Sequence, residues 1–340
     1  MSEGQESPGN ACIVVLGMHR SGTSALTGML SMLGADPGHA LMPAHEQVNP
    51  KGFWEHEDIV AIHERLLEAL KSFWHDERAL PDNWPHSPVS LPFRHQIMEV
   101  LRSDFAHKSL WIVKDPRMCR LLPLWFHLLR ELACHPKFIL VLRHPGEVAS
   151  SLEKRDGLPV ELSCLLWLSH MLEAEYQTRG SRRVFVSYSG LLQDWRHTVA
   201  DIAQCLDIVW PISTDEASSA IEVFLDPSLR HFSSARQLPA HPACQLALKG
   251  FELLSEISPD PLQLDRLRTQ TAELVKLVGP WSNQLQHCER QVRMLTLFEM
   301  ESAVLNSEIR RIKSTVSWQI TKPLRFVWNM LLRLSPSRRS

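Results

Sequence analysis

The sequence has no C-x-x-C pair, no apolar run of the roughly 20 residues that would span a bilayer, and almost no net charge. Its seven cysteines, at 12, 119, 134, 164, 205, 244 and 288, are scattered and odd in number. This excludes a disulfide framework or a cysteine zinc site and reads as buried, reduced thiols in a reducing compartment. No metal-ligand spacing is present. A net charge of -2 gives no electrostatic footprint for nucleic acid. The polar opening SEGQESPGN has no basic segment followed by an apolar one, so no signal peptide is expected. The expectation is a soluble cytoplasmic protein. No internal repeat is evident. The most informative gap is a single residue. Gly17 to Ser24 reads GMHRSGTS and keeps the G-x-x-x-x-G spacing of a nucleoside triphosphatase loop. The lysine that should follow Gly22 is missing, and Thr23 stands in its place.

What surrounds that gap is a phosphate cradle. The apolar run Cys12 to Leu16 precedes the loop, and an amphipathic helix pattern starts near Ala25. Strand, glycine loop and helix together wrap backbone N–H groups around a phosphate at a helix N-terminus. The cation has moved inside the loop, to Arg20. A cradle without its triphosphate lysine points to a nucleotide whose reactive end is not a γ-phosphate.

The chain has 340 residues, 44% of them hydrophobic, enough for a full α/β core with appendages. Residues 1–10 read as a flexible tail, 11–280 as the main domain and 281–340 as a helical extension. Short buried strands are predicted at Cys12 to Leu16, Leu110 to Val113, Lys137 to Leu142 and Arg183 to Val186. Helical patterns fall between them, at Asp58 to Lys71, Ile97 to Phe105, Leu121 to Leu132, Val148 to Lys154 and Val160 to Arg179, and from Tyr188 through Leu206. Gly34 to Lys51 reads as a loop near the phosphate site, and Pro81 to Pro92 as a connector. Strands alternating with helices imply an α/β fold: a parallel sheet with helices on both faces. Ligands of such sheets sit beyond the carboxyl ends of the strands. Gly17, Lys114, Arg143 and Tyr188 all fall at or just past a predicted strand end.

The second motif is VLRHPGEVASSLEKR, Val141 to Arg155. Ser151 lies eight residues after Arg143, one to two turns into the helix that follows Pro145, where its hydroxyl can share an anion with that arginine. One loop for a 5′ phosphate and an Arg/Ser pair for another describe a nucleotide with phosphates at both ends of its ribose. At this point the chain resembles the sulfotransferase family, which uses 3′-phosphoadenosine 5′-phosphosulfate (PAPS). GMHRSGTS resembles the family's 5′-phosphosulfate loop, and Arg143-x-Pro with Ser151 its 3′-phosphate motif. VSYSGLLQD, Val186 to Asp194, is similar to the family's later strand and YEDL stretch, with Ser189 and Gly190 replacing the acidic pair. NPKGFWE (Asn49 to Glu55), KDPRM (Lys114 to Met118) and DPSLRH (Asp226 to His231) resemble a bacterial branch that modifies glycans. SWQITKPLR, Ser317 to Arg325, is similar to a tail segment of bacterial polysaccharide-modifying enzymes. The resemblance covers about Ala11 to Phe232 plus that tail. The family's C-terminal basic-glycine loop has no counterpart here, and Arg230 and His231 are the candidates to take over part of its role.

The resemblance implies a P-loop-type, sulfotransferase-like fold and transfer of a sulfuryl group from PAPS to a carbohydrate hydroxyl, on a polysaccharide or a lipid-linked glycan. It assigns Gly17, Arg20, Ser21, Gly22, Thr23, Ser24, Arg143, Ser151 and Tyr188 to the nucleotide, with no metal required. Loop amides, the Thr23 hydroxyl and Arg20 would stabilise charge growing on the leaving phosphate. Lys114 is placed on the anion. Glu55 is the first choice of general base, with His19, His56 and Asp115 competing, and Trp54 is placed to stack on a sugar face. Each has a plainer reading. Glu55 suits a helix N-terminus, Trp54 a core or lid, and Tyr188 the core. Lys114, Asp115 and Arg117 suit a local ion-pair network or substrate contact. Two other functions fit less well: a P-loop kinase, which lacks its lysine here, and a non-catalytic nucleotide-binding scaffold of a polysaccharide-assembly complex.

From Arg310 to Ser340 there are eight Lys or Arg and no acid. Ile320, Leu324, Val327, Trp328 and Leu331 follow helical steps. Such a basic amphipathic helix lies on anionic lipid at the inner face of a membrane, or docks on a protein partner. Truncation before Trp318 is expected to leave turnover on a soluble acceptor intact and abolish sedimentation with anionic liposomes. Undiminished sedimentation of the truncated chain would refute the lipid reading.

Overall fold

The computed structural model describes residues 11–46, 49–225 and 237–277, with positions 305, 307, 308 and 311. The chain divides into two compact units, Met1–Leu277 and Val278–Ser340. The four described positions of the second unit are helical. The predicted tail helix from Trp318, and the pair Arg230 and His231, lie outside the described residues.

In the first unit the strands are β1 (Ala11–Leu16), β2 (Leu110–Lys114), β3 (His135–Leu142) and β4 (Arg183–Ser187). They form one parallel sheet in the order β2-β1-β3-β4. The helices are α1 (Thr23–Met32), α2 (Glu57–Ala69), α3 (Leu91–Asp104), α4 (Met118–Glu131), α5 (Pro145–Asp156), α6 (Val160–Gln177), α7 (Tyr188–Gln193), α8 (Trp195–Leu206), α9 (Thr214–Phe224) and α10 (Pro242–Leu254). Residues 261–277 are also helical.

The strands are continuous apolar runs because both faces of the sheet are covered. Ile13, Val15, Ile112, Ile139, Val141 and Val186 point to one face, where they share a core with Leu26, Met29 and Leu30 of α1, Val199 and Ile202 of α8 and Ile221 of α9. The alternate residues face the other side. There α4 and α6 pack on β3, with Phe126 edge-on to Phe138 at 5.6 Å between ring centres.

Several element boundaries differ from the sequence expectation; β3 starts at His135 instead of Lys137 and α5 at Pro145 instead of Val148. Helix α3 starts at Leu91 and takes in part of the predicted connector, because Pro92 sits in its first turn, where a missing N–H costs nothing. Helix α4 starts at Met118 instead of Leu121. The single helix predicted after Tyr188 is two. Asp194, at φ -148° and ψ 87°, breaks it, and its carboxylate accepts from the His197 N–H at 3.0 Å to cap α8.

Register brings the site together. Val15 pairs with Lys114, Leu16 with Leu140 and Leu142 with Ser187. Gly17, Lys114, Arg143 and Tyr188 therefore meet at the carboxyl edge of the sheet. The chain leaves β1 for β2 on one side and later returns to place β3 on the other, so the crevice for a ligand opens between β1 and β3. Burying one Leu or Ile contributes about 1.5–3 kcal/mol, and Leu30 is wholly buried between α1 and the sheet. Leu30→Ala is expected to lose about 2–5 kcal/mol in urea unfolding. A loss below about 1 kcal/mol would contradict this packing.

Candidate functional site

The loop from Gly17 to Gly22 is built by its backbone. The Ser21 N–H donates to the Met18 carbonyl at 3.1 Å. Arg20 and Gly22 both take left-handed backbone, at φ 68° and 91°. A Cβ on Gly22 would come within 2.1 Å of the Tyr188 ring, so only glycine lets β4's end close over the loop. Behind the loop, the Gly17 N–H donates to Cys119 Sγ at 3.2 Å. Helix α1 then begins with no side-chain cap and no acid in its first turn. Its first N–H groups and the positive end of its dipole are left for an anion.

A cavity of about 400 Å³ opens above this helix end. Of the loop residues expected at the nucleotide, Arg20, Gly22, Thr23 and Ser24 line it, whereas Gly17 and Ser21 lie beneath. Arg143, Ser151 and Tyr188 form the facing wall, and Asn49 to Phe53 form part of the rim. Arg20 joins the two halves. Its Nε donates to Ser151 Oγ at 2.8 Å, and its carbonyl accepts from Arg143 NH1 at 2.9 Å. Arg143 is held by Glu147 at 2.9 Å, and its guanidinium lies 4.7 Å from the centre of the Tyr188 ring.

Arg155 joins this wall without belonging to either sequence motif's expected ligands. It stands one helical turn beyond Ser151, on the same face of α5, and lines the cavity. That four-residue spacing was the available signal. Burial, then the nearby Arg155 and Arg143 charges, lower the Arg20 pKa to about 10. Three guanidiniums crowded at one cavity repel one another, and a polyanion among them relieves that repulsion.

Lys114 bridges loop and wall. Its ammonium donates to Ser24 Oγ at 3.0 Å and to Glu55 Oε1 at 2.5 Å. Both charges are almost wholly buried. Burial pushes the Glu55 carboxyl above its ordinary value, Asp115 adds to that, and Lys114 and Arg117 oppose it. Arg117 also lines the cavity, whereas Asp115 lies behind it. Asp115 Oδ1 accepts from Arg117 NH1 at 2.8 Å and Oδ2 contacts His63 Nδ1 at 2.7 Å. Burial alone would raise Asp115, but Arg117 and His63 outweigh it and hold the carboxyl below the usual range. His63 likewise falls outside the residues expected at the site, although it lies on the buried stripe of α2 with Ile59, Leu66 and Leu67.

His19 lines the cavity with its ring 4.5 Å from that of Trp74. Burial, then the Arg117 and Arg155 charges, keep its pKa well below the ordinary value, so the ring is neutral. Its Nε2 is buried without a hydrogen-bond partner.

Two residues placed at the acceptor by the sequence reading stand elsewhere. Trp54 does not line the cavity. Its ring packs edge-on to Phe224 at 5.8 Å and its Nε1–H donates to the Lys51 carbonyl at 3.0 Å. The bare Cα of Gly28 makes room for it, so this tryptophan wedges the loop onto α1 and α9. The tryptophan that does reach the cavity is Trp74. His56 also lies off the cavity; it precedes α2 and contacts Asp104 at 3.0 Å. Among the described residues, no group of three or more His, Cys, Asp or Glu is placed to hold a metal ion, and no helix is long and apolar enough to cross a membrane.

An uncapped helix behind a glycine loop and a second basic cluster across one cavity suit a phosphorylated ligand. The profile described as the Sulfotransferase family matches residues 12–211. The chain belongs to the sulfotransferase family. Among solved structures it is similar to the sulfotransferase domain from the Synechococcus PCC 7002 olefin synthase, with 19% identity over 81% of this chain and 98% of that one and a TM-score of 0.40. It is also similar to the sulfotransferase domain from the curacin biosynthetic pathway, with 14% identity over 80% and 99% and a TM-score of 0.33. No curated protein matches.

Gly22→Ala is expected to leave the chain folded but weaken 3′,5′-ADP binding by at least about tenfold, read by calorimetry beside a melting curve. Unchanged affinity would show that Tyr188 does not close over this loop.

Proposed function

We propose that this protein moves the sulfuryl group of PAPS to a hydroxyl of a carbohydrate acceptor, releasing 3′,5′-ADP. The observation that carries the reading is the pairing of two anion sites in one cavity, linked through Arg20. The first site is the bare N-terminus of α1, with the Thr23 hydroxyl. It suits the 5′ phosphosulfate. The second is Arg143, Ser151 and Arg155, with the Tyr188 ring stacked on Arg143. It suits a 3′ phosphate. The fit does not rest on Lys114 acting as a triphosphate lysine. That ammonium comes from β2 and is shared between Ser24 and Glu55.

In the reaction the acceptor oxygen forms a bond to sulfur as the bond from sulfur to the phosphate oxygen breaks. The acceptor's proton goes to a base, and negative charge collects on the leaving phosphate. The helix end, Arg20 and Lys114 meet that charge without having to reorganise. Glu55 is the base in this reading. Burial raises its proton affinity, and Lys114 fixes its position beside the loop. Its carboxylate is the working form, so activity falls at low pH as Glu55 is protonated. The carbohydrate assignment is supported by the likeness of Asn49 to Glu55 and Lys114 to Met118 to glycan-modifying sulfotransferases. Trp74 lines the same cavity, packed against His19 and with the Arg155 guanidinium over its ring.

Arg143→Ala separates the two phosphates. It is expected to weaken 3′,5′-ADP binding by about 10- to 100-fold, the loss of a charged hydrogen bond, and to change 5′-ADP binding little. An equal loss for both nucleotides would place Arg143 away from the 3′ phosphate.

A further inference from the structure

A chain of hydrogen bonds runs from the core behind the cavity wall to Arg117, which stands in ion-pair range of Glu55. It starts at Trp125, whose Nε1–H donates to His63 Nε2 at 3.0 Å. An indole N–H cannot accept, so His63 Nε2 carries no proton. The ring's one proton sits on Nδ1 and is donated to Asp115 Oδ2 at 2.7 Å. His63 is wholly buried and Asp115 nearly so, and a charged imidazolium would turn two donors against each other at Trp125. The other oxygen of Asp115 accepts from the Arg117 backbone N–H at 2.9 Å and from its NH1 at 2.8 Å. That same NH1 lies 3.8 Å from Glu55 Oε2, while NH2 donates to Glu64 at 2.7 Å.

We propose that His63, fixed in one neutral tautomer by Trp125, is a positioning residue that sets where the Arg117 guanidinium stands against Glu55. The inference rests on the sulfuryl-transfer reading, since it acts through that reading's base. The reason is a division of labour on Asp115. One carboxylate oxygen belongs to His63 and the other to Arg117. Without the His63 donor, Oδ2 becomes a buried anionic oxygen with no partner, which is costly. Arg117 already donates to the other oxygen of Asp115, and its planar fork matches both oxygens of a carboxylate. Arg117 then turns to grip Asp115 with two bonds and leaves Glu55.

The consequence for Glu55 has a definite sign. The charged groups facing it are Lys114 and Arg117 as cations and Asp115 as an anion, with Glu64 opposing it across Arg117. Losing Arg117 leaves Lys114, already shared with Ser24, against the repulsion of Asp115. Glu55 then takes up its proton at higher pH, and the acid limb of turnover moves up with it. His63→Asn keeps an N–H near the Nδ1 position and restores the arrangement. His63→Leu removes it. His63→Gln, whose amide reaches the Nε2 position instead, behaves like the leucine variant and replaces it if that variant does not fold.

The test is isotope-edited infrared spectroscopy of the full chain, with Glu55→Gln identifying the Glu55 carboxylate band across roughly pH 4 to 9. The expected result is a protonation midpoint raised by about one pH unit in His63→Leu or His63→Gln, a tenfold change in proton affinity, and a near-native midpoint in His63→Asn. The same midpoint in every background overturns the positioning role. Calorimetry with 3′,5′-ADP on the same samples separates this from the parent reading. Failure of the native chain to bind 3′,5′-ADP overturns sulfuryl transfer, whereas normal binding with an unmoved Glu55 midpoint overturns only the role of His63.

Discussion

The site depends on one electrostatic constraint: helix α1 starts at the carboxyl edge of the sheet with nothing of its own to cap it. Gly22, at φ 91°, begins the helix without offering a side chain. No acid stands in the first turn to answer the dipole. The helix end is therefore left open to an anion. The loop that delivers it is pinned from behind by Cys119 and covered from above by Tyr188. Strand order does the rest, because it places the ends of β2, β3 and β4 around that point.

Around this centre three guanidiniums stand close together, Arg143 paired with Glu147 and Arg155 with Asp156. Burial, then the Arg155 and Arg143 charges, lower the affinity of Arg20 for its proton. Crowding of this kind is unfavourable without an anion and favourable with one. It is a stored preference for a ligand with separated negative groups. The acidic side works in the opposite sense. Lys114 and Arg117 flank Glu55 and oppose the upward push that burial gives its carboxyl. The cavity thus sets Arg20, Arg143 and Arg155 together, with Asp156 beside Arg155, and places the Glu55 carboxylate against Lys114. Sulfuryl transfer, in which charge leaves with a phosphate and a proton leaves a hydroxyl, needs that division.

Much of this was legible in the order of the residues. The four strands were visible because a strand buried on both faces is a continuous apolar run. The clusters at Gly17, Lys114, Arg143 and Tyr188 were visible because each follows such a run closely. Side-chain direction was not legible. Trp54 and Trp74 are equivalent as letters, and only packing against Gly28 and Phe224 shows why one is a wedge while the other reaches the cavity. Arg20 reads as a ligand of the first phosphate, yet its Nε sits on Ser151, because a left-handed backbone at Arg20 turns the side chain across the crevice. His63 was hidden because it lies on α2, far in sequence from the loop, and joins the site only through Asp115. Asp194 looked like an ordinary helix residue and instead ends one helix and caps the next.

The most direct test of the two-phosphate account is calorimetric binding of 3′,5′-ADP, 5′-ADP and ATP to the full chain, without and with magnesium. The account predicts a clear preference for 3′,5′-ADP that magnesium does not change. Preference for ATP in the presence of magnesium, or no binding of 3′,5′-ADP, would contradict it.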